Sequence, residues 1–412
     1  MPDDRFRVQH AGSTLLALDL DGDRDQDILV GDISCPTLFQ MTNRGTPRQA
    51  VFRDFRTDFP ADRPIRFPTF PATYYEDLDF DGVKDLLAAP NVFVNEGGLV
   101  DFGRSAWLYH NRGSDSVPDF SFRQPDFLQN TMVDLGEATA PALADYDADG
   151  DLDLFVGNGG VPGSDRPVAT VWLFENTGTA AAPAFTLRTR DYLQLAARQL
   201  TRIRPGFADL NGDGKLDFYW VANEGRLARM RVVFNAGSRK RPFRFSPNRA
   251  LTLPLPLETN DVPSLTDLDG DGDADLLVGK AGGNLEAYQN VGNGKRPDFR
   301  PENRALGGLQ PDAAGRNAAP TVADLNGDGK PDLLVGNRPG KLRIYPDFTN
   351  NLIAFNEPVT NWMGTSSPPS SEARLGGLLH PATGDLDGDG QPEIILGTNA
   401  GGLIFLRNTG RK

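Results

Sequence analysis

The 412-residue sequence predicts an all-β chain, a seven-bladed β-propeller with four antiparallel strands per blade and an N-terminal strand closing the last blade. Three observations lead there. A nine-residue aspartate pattern recurs seven times. Each copy precedes a four-residue apolar run. The chain also opens with a segment of the kind its last repeat lacks.

The pattern, Asp-x-Asp-x-Asp-Gly-x-x-Asp, starts at Asp19, Asp77, Asp145, Asp209, Asp267, Asp324 and Asp385, in steps of 58, 68, 64, 58, 57 and 61 residues. One repeat unit therefore fills the whole chain, and 1–412 reads as a single propeller. Before each loop comes a short segment such as Pro141-Ala142-Leu143-Ala144 or Pro320-Thr321-Val322-Ala323. After it come Ile28-Leu29-Val30-Gly31, Leu154-Phe155-Val156-Gly157, Leu276-Leu277-Val278-Gly279 or Leu333-Leu334-Val335-Gly336, β-prone runs that read as buried strands. The third segment alternates and ends in Asn-x-Gly, as in Trp172-Leu173-Phe174-Glu175-Asn176; Asp347-Phe348-Thr349 is the exception. The fourth is centred on Phe52, Phe122, Phe185, Phe245, Phe299 or Phe355. A lone four-stranded sheet cannot bury both faces, so neighbours must stack, and radial stacking makes a propeller. The last repeat ends after its third segment, while Phe6 to Gln9 resembles a fourth segment. That N-terminal strand is expected to be the outermost strand of blade seven, removing a free seam.

The loop pattern reads as a calcium site. Calcium takes six to eight oxygen ligands in forgiving geometry, and alternate carboxylates on a tight loop converge on one point. Loop positions one, three, five and nine supply the side chains, and position seven a backbone carbonyl. The sets are Asp19, Asp21, Asp23 and Asp27; Asp77, Asp79, Asp81 and Asp85; Asp145, Asp147, Asp149 and Asp153; and Asp209, Asn211, Asp213 and Asp217. They continue with Asp267, Asp269, Asp271 and Asp275; Asp324, Asn326, Asp328 and Asp332; and Asp385, Asp387, Asp389 and Glu393. Carboxylates this dense repel one another unless a cation sits among them. Solvated acidic turns would not recur in phase seven times. Position twelve, where an EF-hand needs a bidentate Glu, is Val30, Ala88, Val156, Trp220, Val278, Val335 or Leu396, inside a strand. Arg24 stands where position six calls for Gly, which puts the first loop's geometry in question, and Glu393 replaces the ninth Asp.

The formal net charge of −14 argues against nucleic acid and anionic membrane as partners. It is also calcium-site acidity: about seven Ca²⁺ would cancel it. No run of 18 apolar residues offers a membrane helix. Cys35 stands alone, which excludes an intrachain disulfide and reads as a small buried side chain. His10, His110 and His380 show no metal-ligand spacing, and His110 reads as a solvated surface residue.

On these loops and segments the chain resembles the FG-GAP/VCBS repeat family, whose propellers include the integrin α-subunit head and many bacterial surface proteins. The stretch Trp172-Leu173-Phe174-Glu175-Asn176-Thr177-Gly178-Thr179 is similar to the bacterial VCBS type. The resemblance implies calcium in the loop between the first and second strands of each blade. All seven calcium loops then share one face, and the long connections, 90–106, 158–170 and 356–380, lie opposite. Asn91, Phe93, Asn95, Glu96, Trp362 and Arg374 on those connections are the candidate ligand contacts. The expected function is a calcium-stabilised extracellular module recognising a glycan or protein ligand. It would act as a monomer or as part of a larger surface protein. Because modest calcium sites fill only outside the cytosol, the expected location is secreted or cell-surface, with an export signal absent from this sequence. The alternative is a carbohydrate-active enzyme resembling polysaccharide lyases, or its accessory domain; no nucleophile–base spacing supports catalysis.

Overall fold

The computed structural model describes residues 12–92, 99–130, 132–160, 167–179, 181–225, 227–238, 243–292, 296–309, 316–355 and 375–410. The described chain is all-β with short 3₁₀ turns, and it divides into two compact units, Met1–Asp134 and Leu135–Lys412. None of its helices is long and apolar enough to cross a membrane.

Each repeat is one antiparallel sheet of strands in sequence order. The first unit holds two: β1 (Ser13–Leu18), β2 (Asp27–Asp32) and β3 (Phe39–Met41), then β4 (Pro71–Glu76), β5 (Asp85–Pro90), β6 (Trp107–Asn111) and β7 (Phe120–Gln124). Their shared core is Leu18, Leu29, Ile65, Leu86, Tyr109 and Phe120 with neighbours. The second unit holds five sheets. They are β8 (Ala140–Ala144), β9 (Asp153–Gly157), β10 (Val171–Asn176) and β11 (Phe185–Thr189); β12 (Thr201–Ala208), β13 (Asp217–Glu224), β14 (Leu227–Val233) and β15 (Leu251–Thr252); and β16 (Val262–Thr266), β17 (Asp275–Gly279), β18 (Leu285–Asn290) and β19 (Phe299–Asn303). The last two are β20 (Ala319–Ala323), β21 (Asp332–Gly336) and β22 (Leu342–Tyr345), and β23 (His380–Gly384), β24 (Glu393–Gly397) and β25 (Leu403–Leu406).

Seven repeats thus give seven sheets, as expected. The ninth loop residue begins the second strand of every one, which places each aspartate loop between first and second strands.

Neighbour relations in the second unit add what the repeat count could not supply. β8 packs on β12, β12 on β16, β16 on β20, β20 on β23, and β23 back on β8. Five apolar clusters fill the five junctions, the last joining Leu154 and Trp172 to Leu386 and Ile395. So five sheets close a circuit among themselves. The closing junction is stitched by Thr139: its N–H donates to the Thr398 carbonyl at 3.0 Å, and its Oγ1 accepts from the Thr398 N–H at 2.7 Å. The glycine that ends β9, β17, β21 and β24 makes room for this approach. A Cβ on Gly397 would lie 2.1 Å from the Thr139 carbonyl oxygen, and one on Gly157 2.2 Å from that of Ile203. Which edge meets which is a long-range choice that a local repeat does not encode. The proposed closing strand at Phe6 to Gln9 lies outside the described residues.

The fourth segments need correction. Phe122, Phe185 and Phe299 lie in strands, but Phe52 makes only an isolated bridge to Asn43, and Phe245 precedes its sheet's fourth strand. Phe245 instead packs 5.7 Å from Phe218 in the core, and Phe355 sits 5.1 Å from Tyr345. A half-buried ring supplies the packing in these two repeats, and a hydrogen-bonded ladder is not required by it. Cys35 is also half-buried rather than buried.

Candidate metal centres

Every aspartate loop is built by the same backbone hydrogen bonds. The first carboxylate accepts at Oδ2 from the N–H of position six in all seven loops, at 2.7 Å for Gly214 to Asp209 and 3.0 Å for Arg24 to Asp19. The fifth accepts from the N–H of position seven in all seven. These bonds need a left-handed residue at position six. Gly150 has φ 99° and Gly272 φ 94°, and Arg24 adopts the same region at φ 72°. The first loop therefore keeps its geometry despite the missing glycine, at the steric cost of a side chain in the left-handed region.

The ninth carboxylate is buried in every loop, from 0% exposed at Asp217 and Glu393 to 2% at Asp332. One oxygen accepts from a third-strand N–H: Asn43, Asn111, Asn176, Asn235, Asn290, Asp347 or Asn408. The Asn of Asn-x-Gly is thus the loop's anchor. Its Oδ1 also accepts from the Gly N–H two residues on, closing the next turn. In six loops the other oxygen of the ninth carboxylate accepts from the N–H of position two.

Burial pushes several of these carboxyls up. Asp153 and Asp217 reach about 6, first through desolvation, against the opposing pull of their N–H donors. Asp27, Asp275, Asp332 and Glu393 move the same way for the same leading cause.

Five loops bring three donors within 4.8 Å of one another: Asp19, Asp21 and Asp27; Asp79, Asp81 and His110; Asp145, Asp147 and Asp153; Asp267, Asp269 and Asp271; Asp385, Asp387 and Glu393. The loops starting at Asp209 and Asp324 have Asn211 and Asn326 at position three, and with them one carboxylate fewer. All these donors except His110 are hard carboxylate oxygens, the set that suits calcium or magnesium. In the second loop two further carboxylate oxygens, Asp77 Oδ1 and Asp85 Oδ2, are buried without a partner. A small hard cation would satisfy them.

Three features escaped the sequence reading. Asp25 and Asp273 add acids at position seven, each with a buried, unpartnered Oδ1. Burial, and then Asp271, pushes Asp273 up to about 6. Their signal was visible, since both fall inside the pattern. His110 is not a free surface residue: its Nδ1 lies 3.2 Å from both Asp79 and Asp85. Third-strand side chains hold position three elsewhere too, with Gln289 2.7 Å from Asp269 and Arg407 2.6 Å from Asp387. Among the candidate ligand contacts, Asn91 is exposed and its N–H donates to the Phe70 carbonyl at 2.7 Å; Phe93, Asn95, Glu96, Trp362 and Arg374 lie outside the described residues.

Fold and loops together define an all-β repeat protein whose blades each carry an acidic turn between first and second strands. Residues 267–335 match the model of the FG-GAP-like repeat. Integrin alpha-7 of Rattus norvegicus is 30% identical over 156 residues, covering 35% of this chain and 13% of that protein; Mus musculus integrin alpha-7 matches equally over 12% of its length. The matched region thus spans a small fraction of these relatives. Among solved structures, an Agrocybe aegerita lectin specific for non-reducing terminal N-acetylglucosamine aligns over 96% of this chain and 94% of its own, at 17% identity and a TM-score of 0.32. The Dos1 propeller aligns over 97% and 79%, at 8% identity and a TM-score of 0.26.

Proposed function

We propose that this chain is a calcium-braced binding or adhesion module of the cell exterior, holding about one Ca²⁺ in each of its seven aspartate loops. The observation that carries this reading is the repeated cage. Seven loops present side-chain oxygens at the same four positions, five loops with carboxylates at all four and two with Asn at position three. They do so on the same backbone hydrogen bonds, with a buried ninth carboxylate and, in three loops, orphaned oxygens. In each loop the four side chains at positions one, three, five and nine would hold the ion. Calcium would cancel the mutual repulsion of the carboxylates and lock first strand to second.

The ligand face follows from connectivity. In an antiparallel sheet the first-to-second and third-to-fourth turns share one end, so the long second-to-third connections emerge at the other. Ligand recognition, of a glycan or a protein, is assigned to that end, with Asn91 and its neighbours as contacts. Near-millimolar calcium outside the cell would fill the loops, which supports a secreted or surface location. The VCBS subtype belongs to the same reading. The test is to probe glycan and protein arrays with the calcium-loaded chain, together with a turnover assay on plant, algal and host polysaccharides. Saturable, calcium-dependent binding without turnover is expected. Polysaccharide cleavage would replace this reading with the enzymatic one.

A further inference from the structure

The five first strands of the second unit, β8, β12, β16, β20 and β23, surround a cavity of about 160 Å³. Each strand sends a residue followed by proline toward it, so repeat equivalence places Ala140, Arg204, Val262, Ala319 and His380 in one layer. Three of the five are small or apolar. Arg204 and His380 depart from the repeat, and a departure from repeat equivalence in an otherwise uniform layer needs its own explanation.

Arg204 is only 7% exposed, and its Nη1 has no hydrogen-bond partner. The buried carboxylate of Asp261 acts on Arg204 through space and not by a hydrogen bond: its Oδ2 accepts from Lys280 Nζ at 2.5 Å and from the Glu258 N–H at 2.9 Å, and its Oδ1 has no partner. Arg202, two residues before Arg204, adds positive charge and is itself offset by Glu137. His380 is 5% exposed, and burial, then Arg204 and Arg202, hold its imidazole down to about 3. It is therefore a neutral imidazole with one N–H to give. Burying an unpaired guanidinium is unfavourable unless an anion meets it.

We infer that this axial cavity is a binding site for a small organic monocarboxylate, with the Arg204 guanidinium taking the carboxylate and His380 donating a further hydrogen bond. The charge count selects the class. One unpaired guanidinium beside a neutral imidazole balances one negative charge, whereas a phosphate dianion needs a second cation in the cavity. The planar guanidinium fork matches a carboxylate in two parallel hydrogen bonds. The lining is mainly polar, and the prolines and alanines supply its smaller apolar part, enough for the short body of a small carboxylate. This site is separate from the aspartate loops and does not depend on their metal.

The test is calorimetric titration of the full calcium-loaded chain with sodium acetate, with inorganic phosphate and chloride as competing probes. One acetate per chain is expected, at least about tenfold tighter than either inorganic anion. Arg204→Met should abolish acetate binding while the calcium content stays unchanged, and should raise the ligand-free melting temperature by removing an unpaired buried charge. Should that variant fail to fold, Arg204→Lys keeps the charge but loses the fork and should bind acetate at least about tenfold more weakly. His380→Gln, which preserves a donor, should weaken binding less than His380→Leu. No acetate binding to the wild-type chain, equal binding by Arg204→Met or Arg204→Lys, or a preference for phosphate would each overturn the assignment.

Discussion

The loops of the third and fifth sheets and those of the fourth and sixth share one scaffold and differ in charge. Asp145–Asp153 and Asp267–Asp275 each carry five aspartates. The loops starting at Asp209 and Asp324 carry three, with Asn at position three and a lysine, Lys215 or Lys330, at position seven. Yet the bonds from positions six and seven and from the third strand are the same in all four. Lys215 Nζ lies 2.9 Å from Asp213, and Lys330 Nζ 2.7 Å from Asp347, so the poorer loops carry part of their own neutralising charge. Cage geometry is thus a backbone property, and charge is tuned on top of it. Acid-rich loops should bind calcium more tightly and suffer more without it.

Removing all calcium gives the largest effect. Extracellular modules bind with Kd of about 10⁻⁴ to 10⁻³ M, so at ~1 mM calcium each site contributes about 0.4–1.4 kcal/mol, and seven on the order of 3–10 kcal/mol. EGTA should therefore lower the melting temperature by more than ten degrees, or unfold the chain. An unchanged melt would remove calcium from the structural account.

The pH dependence of the calcium-free chain is the next test. Asp153 and Asp217 are raised from 3.8 to about 6, so the folded state holds their protons more firmly than the unfolded state does. Stability in EGTA is then full below pH ~4 and falls as pH rises through about 6, by on the order of 2 kcal/mol per group. With saturating calcium the trend reverses, because the ion requires ionised ligands. Chemical denaturation at pH 4, 5, 6 and 7, with and without EGTA, reads both signs. Asp273, in an acid-rich loop, also rises to about 6, which should make that loop the more pH-sensitive.

Single substitutions break the comparison loop by loop. In EGTA, Asp271→Asn should stabilise the chain by about 0.5–1 kcal/mol by relieving repulsion, whereas Asp213→Asn should be neutral or slightly destabilising because Lys215 already pairs with it. Equal effects at the two sites would show that charge count does not distinguish the loops. Arg24→Gly should have the smallest effect. It relieves a left-handed side chain but frees the unfolded backbone, for a net change within about 1 kcal/mol by thermal melting and no change in calcium number.

What was legible in the sequence was local. Aspartates two apart, glycine at position six and Asn-x-Gly act within one turn or between adjacent strands, so their spacing survives as a pattern. Even Arg24 obeys it, because the bonds around Asp19 impose φ 72° on a residue that does not favour it. The five-sheet circuit was not legible, since Thr139 meets Thr398 across 259 residues and no repeat unit records that pairing. Nor was the role of His110, whose neighbours Asp79 and Asp85 come from another turn of the same sheet. Arg204 and His380 were visible only as departures from the small or apolar residues before the prolines of the second unit's first strands, once those prolines were seen to line one cavity. Expressing residues 135–412 alone tests the circuit: a cooperative melt is expected, and an unfolded product would contradict it.

The most direct measurement is the number of calcium ions per chain, by elemental analysis after equilibrium dialysis at ~1 mM calcium and again at micromolar calcium. Seven loops on one scaffold predict about seven ions at the higher concentration, with the Asn-and-Lys loops of the fourth and sixth sheets emptying first as calcium falls. Three ions or fewer at ~1 mM calcium would contradict the account.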